Sequence, residues 1–259
     1  MVLKIWAVAN QKGGVGKTTT VVGLGGLMAS QYQRVLLLDM DPHGSLTSYF
    51  KQNPDQIQNS VFQLFQHKGQ LPEHLAKSLI INTGFDRLDL MPASTTLAIL
   101  ERQAINQGGA GLVITKALQQ LHHDYDVVLI DTPPILGVLL INAMAACQKL
   151  ILPVQTEHLA IKGLERMMRT LRMVSRSQSR EFNHLVVPTM FDRRTQASIA
   201  SLRELRKSHS DHIWPSAIPV DTKLRNASRE GVPPHTYDPK SRAVASYNAL
   251  LKYILNQDA

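Results

Sequence analysis

Short runs of almost purely apolar residues alternate along the chain with longer stretches in which apolar residues recur every three or four positions. The short runs predict strands at residues 5–9, 35–39, 86–91, 127–131, 150–154 and 185–189. The longer stretches predict helices at residues 17–30, 94–103, 111–122, 136–146, 159–175, 195–208 and 241–255. Strands that are apolar without alternation are typical of a parallel sheet covered on both faces. The strand-helix order therefore predicts an α/β fold: a doubly wound, mostly parallel sheet with helices on both faces.

The same pattern indicates how the chain is divided. No internal repeat or low-complexity linker interrupts the 259 residues, so we expect a single domain over residues 1–259. Residues 51–83 are less regular, and we expect a surface insertion there that could hold partner contacts. The last predicted helix should dock on the domain through an apolar stripe of Val244, Tyr247, Leu251 and Ile254.

Composition excludes several classes of protein. With 44% hydrophobic and 19% charged residues, the chain has enough apolar material for a core and is not disordered. A single cysteine, Cys147, excludes a disulfide framework, a four-cysteine zinc site and a cysteine-held iron–sulfur cluster within one chain. No apolar run approaches the roughly 20 residues of a membrane helix, and the apolar start is too short for a signal peptide. We therefore expect a cytoplasmic protein without an integral membrane segment.

The positive charge is concentrated in one quarter of the chain. The formal net charge is +8, from 28 basic and 20 acidic residues. Residues 162–229 contain 14 basic and 6 acidic residues, so they carry the whole excess. Such a segment is either a solvated face or a surface for a polyanion, either nucleic acid or acidic lipid.

A glycine-rich segment connects the first predicted strand to the first predicted helix. It consists of Lys12, Gly13, Gly14, Val15, Gly16, Lys17, Thr18 and Thr19. Glycines in this context let backbone N–H groups surround phosphate oxygens at a helix N-terminus. Lys17 can reach the β- and γ-phosphates, and the Thr18 hydroxyl can bind Mg²⁺. The usual pattern would have glycine at position 11, where this chain has Gln11, so the loop is a variant with an extra lysine, Lys12.

Carboxylates follow two of the other predicted strands. Asp131 ends the strand at 127–131 and is expected to hold magnesium through water. Asp39 and Asp41 stand at the end of the strand at 35–39. Since ligands of open α/β sheets bind beyond the carboxyl ends of the strands, we expect these carboxylates and the glycine-rich loop to converge. The fold is then of the P-loop NTPase type.

The segments KGGVGKTTT, DMDPHGS and LIDTPP resemble those of the deviant Walker A ATPases of the ParA/MinD group. The segments PTMFDRRTQ and IPVDTKLRNASREGVPPHTYDPKSR resemble its ParA/Soj branch. The resemblance covers nearly the whole chain. It implies an ATPase with ATP and Mg²⁺ as cofactors, slow hydrolysis and stimulation by a protein adaptor.

The resemblance also implies roles for individual residues. ATP is expected to hold a homodimer in which Lys12 of one subunit contacts phosphates bound by the other. Asp41 matches the residue that positions the attacking water, and Thr19 would meet the α-phosphate. Adenine contacts are expected from Met190 and from the turn that contains Pro219.

The ATP-bound homodimer is expected to bind a larger cellular surface, and two surfaces are candidates. ParA-like members bind double-stranded DNA without sequence preference, through residues matching Arg194 and Lys223, with Arg225 nearby. MinD-like members insert a basic amphipathic C-terminal helix into a membrane. This chain ends in YILNQDA, without a basic tail, which disfavours the membrane. We therefore expect DNA binding and a nucleoid-associated or polar location.

The cargo is the open question of the sequence. Chromosomal partition members usually read DPQGN where this chain reads DPHGS at residues 41–45. This variant resembles the ParA-like subgroup, often called ParC, that places chemotaxis arrays at the cell pole, so polar arrays are the first hypothesis. The alternative is chromosome or plasmid partition with a centromere-binding partner. More distant alternatives are a MinD-like positioning ATPase and a biosynthetic amidoligase of the same superfamily.

Overall fold

Seven strands form one sheet in the computed structural model, which describes residues 3–67, 70–103 and 112–257. They are β1 (Lys4–Val8), β2 (Val35–Asp39), β3 (Ile81–Phe85), β4 (Leu88–Met91), β5 (Val127–Asp131), β6 (Lys149–Gln155) and β7 (His184–Thr189). Their order is β3-β4-β2-β5-β1-β6-β7. The pairs β2–β4, β2–β5 and β6–β7 are parallel, and β3–β4 is antiparallel. This confirms the predicted α/β fold with a mostly parallel sheet.

Helices connect the strands. In the described residues they are α1 (Lys17–Ser30), α2 (Ser45–Tyr49), α3 (Phe62–Gln66), α4 (Leu75–Ser78), α5 (Leu97–Gln103), α6 (Val113–Gln119), α7 (Val138–Ala146), α8 (His158–Gln178), α9 (Gln196–Ser208), α10 (Thr222–Glu230), α11 (Pro234–Tyr237) and α12 (Arg242–Gln257). The seven predicted helices are present with ends that differ by a few residues. Residue 111, the predicted first residue of one of them, lies outside the described residues.

The prediction was wrong mainly where the chain is polar. Part of the segment predicted as an irregular insertion at 51–83 is strand β3, whose residues alternate between half-buried and exposed. An edge strand with Asn82, Thr83 and Gly84 has too little apolar sequence to be recognised. Helix α10 was missed for the same reason, because its nine residues include only Leu224 and Ala227 as apolar positions.

By the density of their contacts, the residues form two compact units. Unit 1 comprises Met1–Ala7 and Met28–Gln148, and unit 2 comprises Val8–Leu27 and Lys149–Ala259. In unit 1, β2 pairs with β4 on one side and with β5 on the other, and its five residues are all buried. The single domain over 1–259 stays a prediction.

The core of unit 2 includes a close approach of α12 to α1. A Cβ added at Gly23 would lie 3.1 Å from the ring of Tyr247, so a larger residue there would require the ring to move by a few tenths of an ångström. The Tyr247 hydroxyl lies 3.2 Å from the hydroxyl of Thr20. The predicted apolar stripe of α12 is buried, which confirms the expected docking; it comprises Val244, Tyr247, Leu251 and Ile254. Among the described residues, no helix is long and apolar enough to span a membrane.

His184, the first residue of β7, and His209, at the end of α9, are expected to make the stability of the protein depend on pH. The His184 ring stacks on the His212 ring with 4.3 Å between centroids. Burial, followed by the nearby charges of His212 and His209, lowers the pKa of His184. Burial also lowers the pKa of His209, against the opposing effect of Glu165. Below about pH 6.5, these two histidines therefore bind more protons in the unfolded chain than in the folded chain.

As the pH falls from 7 to 5, we expect these histidines to lower the free energy of unfolding, and His184→Phe to remove the part of this pH dependence that comes from His184. Phenylalanine keeps a ring against His212 but cannot be protonated. Urea unfolding of both proteins at a series of pH values measures the two slopes. Equal slopes would contradict a contribution from His184.

Candidate nucleotide site

The loop between β1 and α1 is held in place by contacts with β6. Asn10 is buried, and its side-chain amide donates a 2.8 Å hydrogen bond to the carbonyl of Pro153. Its side-chain oxygen accepts a 2.9 Å bond from the backbone N–H of Lys12. The Val15 carbonyl accepts a 2.8 Å bond from the Thr189 hydroxyl at the end of β7. The backbone of the loop is thus anchored to β6 and to the end of β7.

The glycines of this loop have a conformation and surroundings that suit an anion. Gly14 and Gly16 have φ angles of 73° and 91°, in the left-handed region that favours glycine. A Cβ at Gly13, Gly14 or Gly16 would meet nothing within 4 Å, so space lies open beside the loop. Helix α1 begins directly afterwards, with a 2.9 Å bond from Thr20 N–H to the Gly16 carbonyl. Together these features give the loop the backbone geometry expected of a phosphate-binding loop, and its binding of phosphate stays a prediction.

The two lysines of the loop differ in their surroundings. Lys17 is buried, and its ammonium lies 3.5 Å from the carbonyl of Lys12. Lys12 is part-exposed and forms an ion pair with Glu157, the residue before α8. Lys12 therefore has a carboxylate partner within its own chain.

Gln11, at the position where the usual loop pattern has glycine, also has a structural role. Its side-chain amide donates a 2.8 Å hydrogen bond to the hydroxyl of Thr170 in the middle of α8. Thr170 is itself buried. The variant residue thus attaches the loop to a long helix.

A cavity of about 420 Å³ opens next to Gly16 and Thr19. It is lined also by Gln155, Thr189, Met190, Ile218, Pro219, Val220, Asp221, Leu224, Arg225, Ser228 and Tyr247. Its volume is that of a small-molecule site, with apolar walls and a few polar groups. The structure brings the predicted Met190 and Pro219 together with Gly16 and Thr19. Met190 has a φ of 52°, a conformation that non-glycine residues adopt mainly at constrained sites.

The predicted carboxylates Asp39 and Asp131 belong to unit 1. They are register partners at the ends of β2 and β5, and both are buried. One oxygen of Asp39 accepts bonds from the Thr47 N–H at 2.8 Å and the Thr47 hydroxyl at 2.7 Å. Its other oxygen accepts a 3.1 Å bond from the Asp41 N–H. Burial raises the pKa of Asp39 to about 6, although these hydrogen bonds oppose the rise.

Asp41 lies in the turn that Asp39 organises. One of its oxygens accepts a 3.0 Å bond from the backbone N–H of His43, and the His43 ring nitrogen lies 3.0 Å from the same oxygen. The Asp41 side chain is 11% exposed, whereas that of His43 is 78% exposed. The Asp41 side chain is therefore held in one orientation by His43.

The family of the chain follows from comparison with known proteins. A family model described as an AAA domain matches residues 3–184. The sporulation initiation inhibitor protein Soj of Bacillus subtilis is 34% identical over 97% of this chain and 98% of its own length. The chromosome partitioning protein ParA of Myxococcus xanthus is 31% identical over 98% of this chain and 89% of its own length. The chain belongs to the ParA/Soj family.

A solved structure with the same fold is similar over almost the whole length of this ParA/Soj protein. It is that of a Mycobacterium smegmatis protein named cobyrinic acid a,c-diamide synthase, with a bound ATP analogue and magnesium. It is 31% identical, has a TM-score of 0.82, and the match covers 98% of this chain and 95% of that one. The family resemblance drawn from the motifs is thus confirmed.

The residues expected to bind DNA do not form one free basic surface. Arg194 donates two hydrogen bonds to Asp192, at 2.9 and 2.8 Å. The Lys223 ammonium lies 3.3 Å from a carboxylate oxygen of Asp238. Arg225 lines the cavity beside Gly16 and Thr19. The resemblance to ParA-like proteins grouped these three as DNA contacts, and the structure gives each a different environment.

The sequence analysis did not identify several residues around the loop and the cavity of this ParA/Soj protein. Glu157 follows the end of β6, which is where this fold places ligands, and that position could have drawn attention to it. One face at the start of α10 lines the cavity, as the helical spacing of its residues allows. It comprises the N-cap Asp221 and then Leu224, Arg225 and Ser228, of which only Arg225 had been singled out, as a DNA contact. No local signal indicated that Gln11 and Thr170, 159 residues apart, would bond.

Proposed function

We propose that this protein is a partition ATPase: a slow ATPase that dimerises on binding ATP, binds double-stranded DNA without sequence preference and releases it after hydrolysis. The observation that carries the proposal is the fixed loop from Lys12 to Thr19 with a cavity of about 420 Å³ beside it. The phosphates of ATP would lie on the loop and its adenine between Met190 and Pro219. A protein adaptor would stimulate hydrolysis.

The charges around the loop suit phosphoryl transfer. That reaction needs the reactants positioned and the negative charge neutralised, rather than covalent help from the protein. Lys17 and the loop N–H groups would hold the β- and γ-phosphates. Asp41, held by His43, would orient the attacking water. Lys12 would leave Glu157 to contact phosphates in the partner subunit.

The residues present also fit magnesium. A hydroxyl from Thr18 and carboxylates from Asp39 and Asp131 are the hard oxygen donors that Mg²⁺ prefers. Because both oxygens of Asp39 already accept protein hydrogen bonds, Asp39 would act through water. When bound, the ion would neutralise charge on the β- and γ-phosphate oxygens.

Partition of a chromosome or plasmid replaces the positioning of chemotaxis arrays as the preferred cargo hypothesis. The array hypothesis rests on the DPHGS segment, whereas the Myxococcus relative, matched over nearly the full chain, is named as a chromosome partitioning protein. The partner would then be a centromere-binding protein, and the ATP-bound form would be associated with the nucleoid. The expected DNA contacts are Arg194, Lys223 and Arg225, after release from their present partners.

Asp41→Ala is expected to accumulate as an ATP-bound dimer, because it keeps the phosphate cradle and loses the group that orients water. Size-exclusion chromatography with light scattering should give twice the mass of one chain with ATP and a single chain with ADP. The hydrolysis rate should fall about 100-fold or more.

The matched control for this variant is Asp86→Ala, which removes a side chain that is 90% exposed. It should behave as wild type in both assays. An Asp41→Ala protein that hydrolyses ATP normally, or stays monomeric with ATP, would contradict the assigned role.

A second candidate is an amidoligase that acts on a small acid. The Mycobacterium smegmatis neighbour bears the name of such an enzyme. The two functions differ in what accelerates ATP hydrolysis. Acceleration by cobyrinic acid with glutamine would favour the synthase, and acceleration by DNA together with a centromere-binding protein would favour partition.

A further inference from the structure

Helix α8 carries a line of basic residues that the site described above does not use. Its 21 residues include five that are basic and a single acidic residue, Glu165. The basic residues are Lys162, Arg166, Arg169, Arg172 and Arg176. Spacings of three and four residues place them on one side of a helix, over about 21 Å of its length. We call this set the α8 stripe.

The cations of the α8 stripe are available to a partner. All five are exposed. Within the parts of the chain that the structure describes, none of them lies within ion-pair distance of a carboxylate. This distinguishes them from Arg194 and Lys223, which pair with Asp192 and Asp238. An open groove of about 460 Å³ runs between Arg169, Arg172 and Arg176.

The opposite side of α8 argues against insertion of this helix into a membrane. Its apolar residues are buried in unit 2; they are Ala160, Ile161, Leu164, Met167, Leu171 and Val174. Only Leu159 and Met173 are large apolar residues exposed on this helix. An interfacial helix needs an exposed apolar face to enter the lipid, whereas the apolar face of α8 is buried.

The chemistry of the stripe matches a phosphate backbone. Arginine recognises phosphate through paired N–H donors, and four of the five cations are arginines. Duplex DNA carries one negative charge for about every 1.7 Å of its length, so a stripe of about 21 Å faces phosphates along its whole extent. With no deep pocket for a base or a side chain, contacts of this kind carry no sequence preference.

We infer that the α8 stripe binds the phosphate backbone of double-stranded DNA and is the principal nonspecific DNA contact of this protein. This inference rests on the proposed function, in which the ATP-bound form binds DNA. It moves the main contact from Arg194, Lys223 and Arg225 to a helix that the family-based assignment did not include.

The test is the triple variant Arg169→Gln, Arg172→Gln, Arg176→Gln. A matched control, Arg102→Gln, Lys240→Gln, Lys252→Gln, removes three positive charges from exposed positions elsewhere. Fluorescence anisotropy with a mixed-sequence duplex, in the presence of ATP and over a series of salt concentrations, gives both affinity and salt dependence. Hydrolysis and dimerisation are measured on the same samples.

We expect the stripe variant to bind DNA about 100-fold more weakly at physiological salt, and its log–log salt slope to be smaller by about 2.7, since each phosphate contact contributes about 0.9. The control variant should keep the wild-type slope. A stripe variant that binds like wild type, or a control that loses as much, would overturn the inference. So would wild-type protein that binds polyglutamate in preference to DNA.

The same samples separate this inference from the proposed function. If wild-type protein hydrolyses ATP, dimerises and binds DNA, and the stripe variant binds DNA equally well, the stripe is overturned and the proposed function stands. Wild-type protein that hydrolyses ATP and dimerises but does not bind DNA would overturn both the stripe and the DNA-binding part of the proposed function. Wild-type protein that neither hydrolyses ATP nor dimerises would overturn the proposed function itself.

Discussion

Lys17→Ala should reduce ATP hydrolysis about 100-fold or more and abolish ATP-dependent dimerisation. The ammonium of Lys17 is buried beside the loop, so alanine would remove a fixed positive charge from the place where negative charge develops during hydrolysis. Phosphate-release assays with saturating ATP measure the rate, and light scattering measures the mass with ATP and with ADP.

A matched control for this variant is Lys252→Ala, which removes an exposed lysine of α12 and should leave both properties unchanged. Thermal unfolding of both variants shows whether Lys17→Ala is folded. A folded Lys17→Ala protein with full hydrolysis and dimerisation would overturn the assignment of the phosphate loop.

Tyr247→Ala should lower the free energy of unfolding by about 3–5 kcal/mol, the usual cost of removing a large buried ring. The ring is 2% exposed, packs against Gly23 of α1 and lines the cavity. Neighbouring α1 follows the phosphate loop directly, so nucleotide affinity should fall together with stability. Urea unfolding and binding of a fluorescent ATP analogue measure the two effects.

Two further variants divide the effect of this side chain. Tyr247→Phe keeps the ring and loses only the hydroxyl beside Thr20, which should cost about 1 kcal/mol. Tyr32→Ala removes a tyrosine that is 80% exposed and should change stability by less than about 0.5 kcal/mol. If Tyr247→Ala lowered the free energy of unfolding no more than Tyr32→Ala, the described packing of α12 on α1 would be contradicted.

Most of the sheet was predictable from the sequence because buried parallel strands consist of apolar residues without alternation. β2 and β5 are buried at every position, and their sequences VLLLD and VVLID show it directly. β3 is an edge strand with the sequence INTGF. Its burial alternates, but its only large apolar residues are the first and the last, so the sequence shows no apolar–polar alternation. An apolar sequence pattern therefore identifies a strand only where other parts of the fold bury that strand.

The candidate site was predictable only where its residues are neighbours in sequence. The loop from Lys12 to Thr19 is one continuous motif, and its backbone could be inferred from its glycines. The partner of Lys12, Glu157, is 145 residues away, and nothing in the spacing pairs the two. Arg225 was assigned to DNA because it is near Lys223, a position matched by the family resemblance. In the structure it lines the cavity together with Asp221 and Leu224.

The hydrogen bond from Gln11 to Thr170 joins the phosphate loop to the residue next to Arg169. A movement of the loop on nucleotide binding must either break this bond or shift the middle of α8. Nucleotide binding at the loop and DNA binding at the proposed α8 stripe would then be linked by a coupling free energy, and such coupling is reciprocal. If ATP raises the affinity for DNA by some factor, DNA raises the affinity for ATP by the same factor. The nucleoid would then itself favour the ATP-bound state, and the protein would keep its nucleotide longest where DNA is most concentrated.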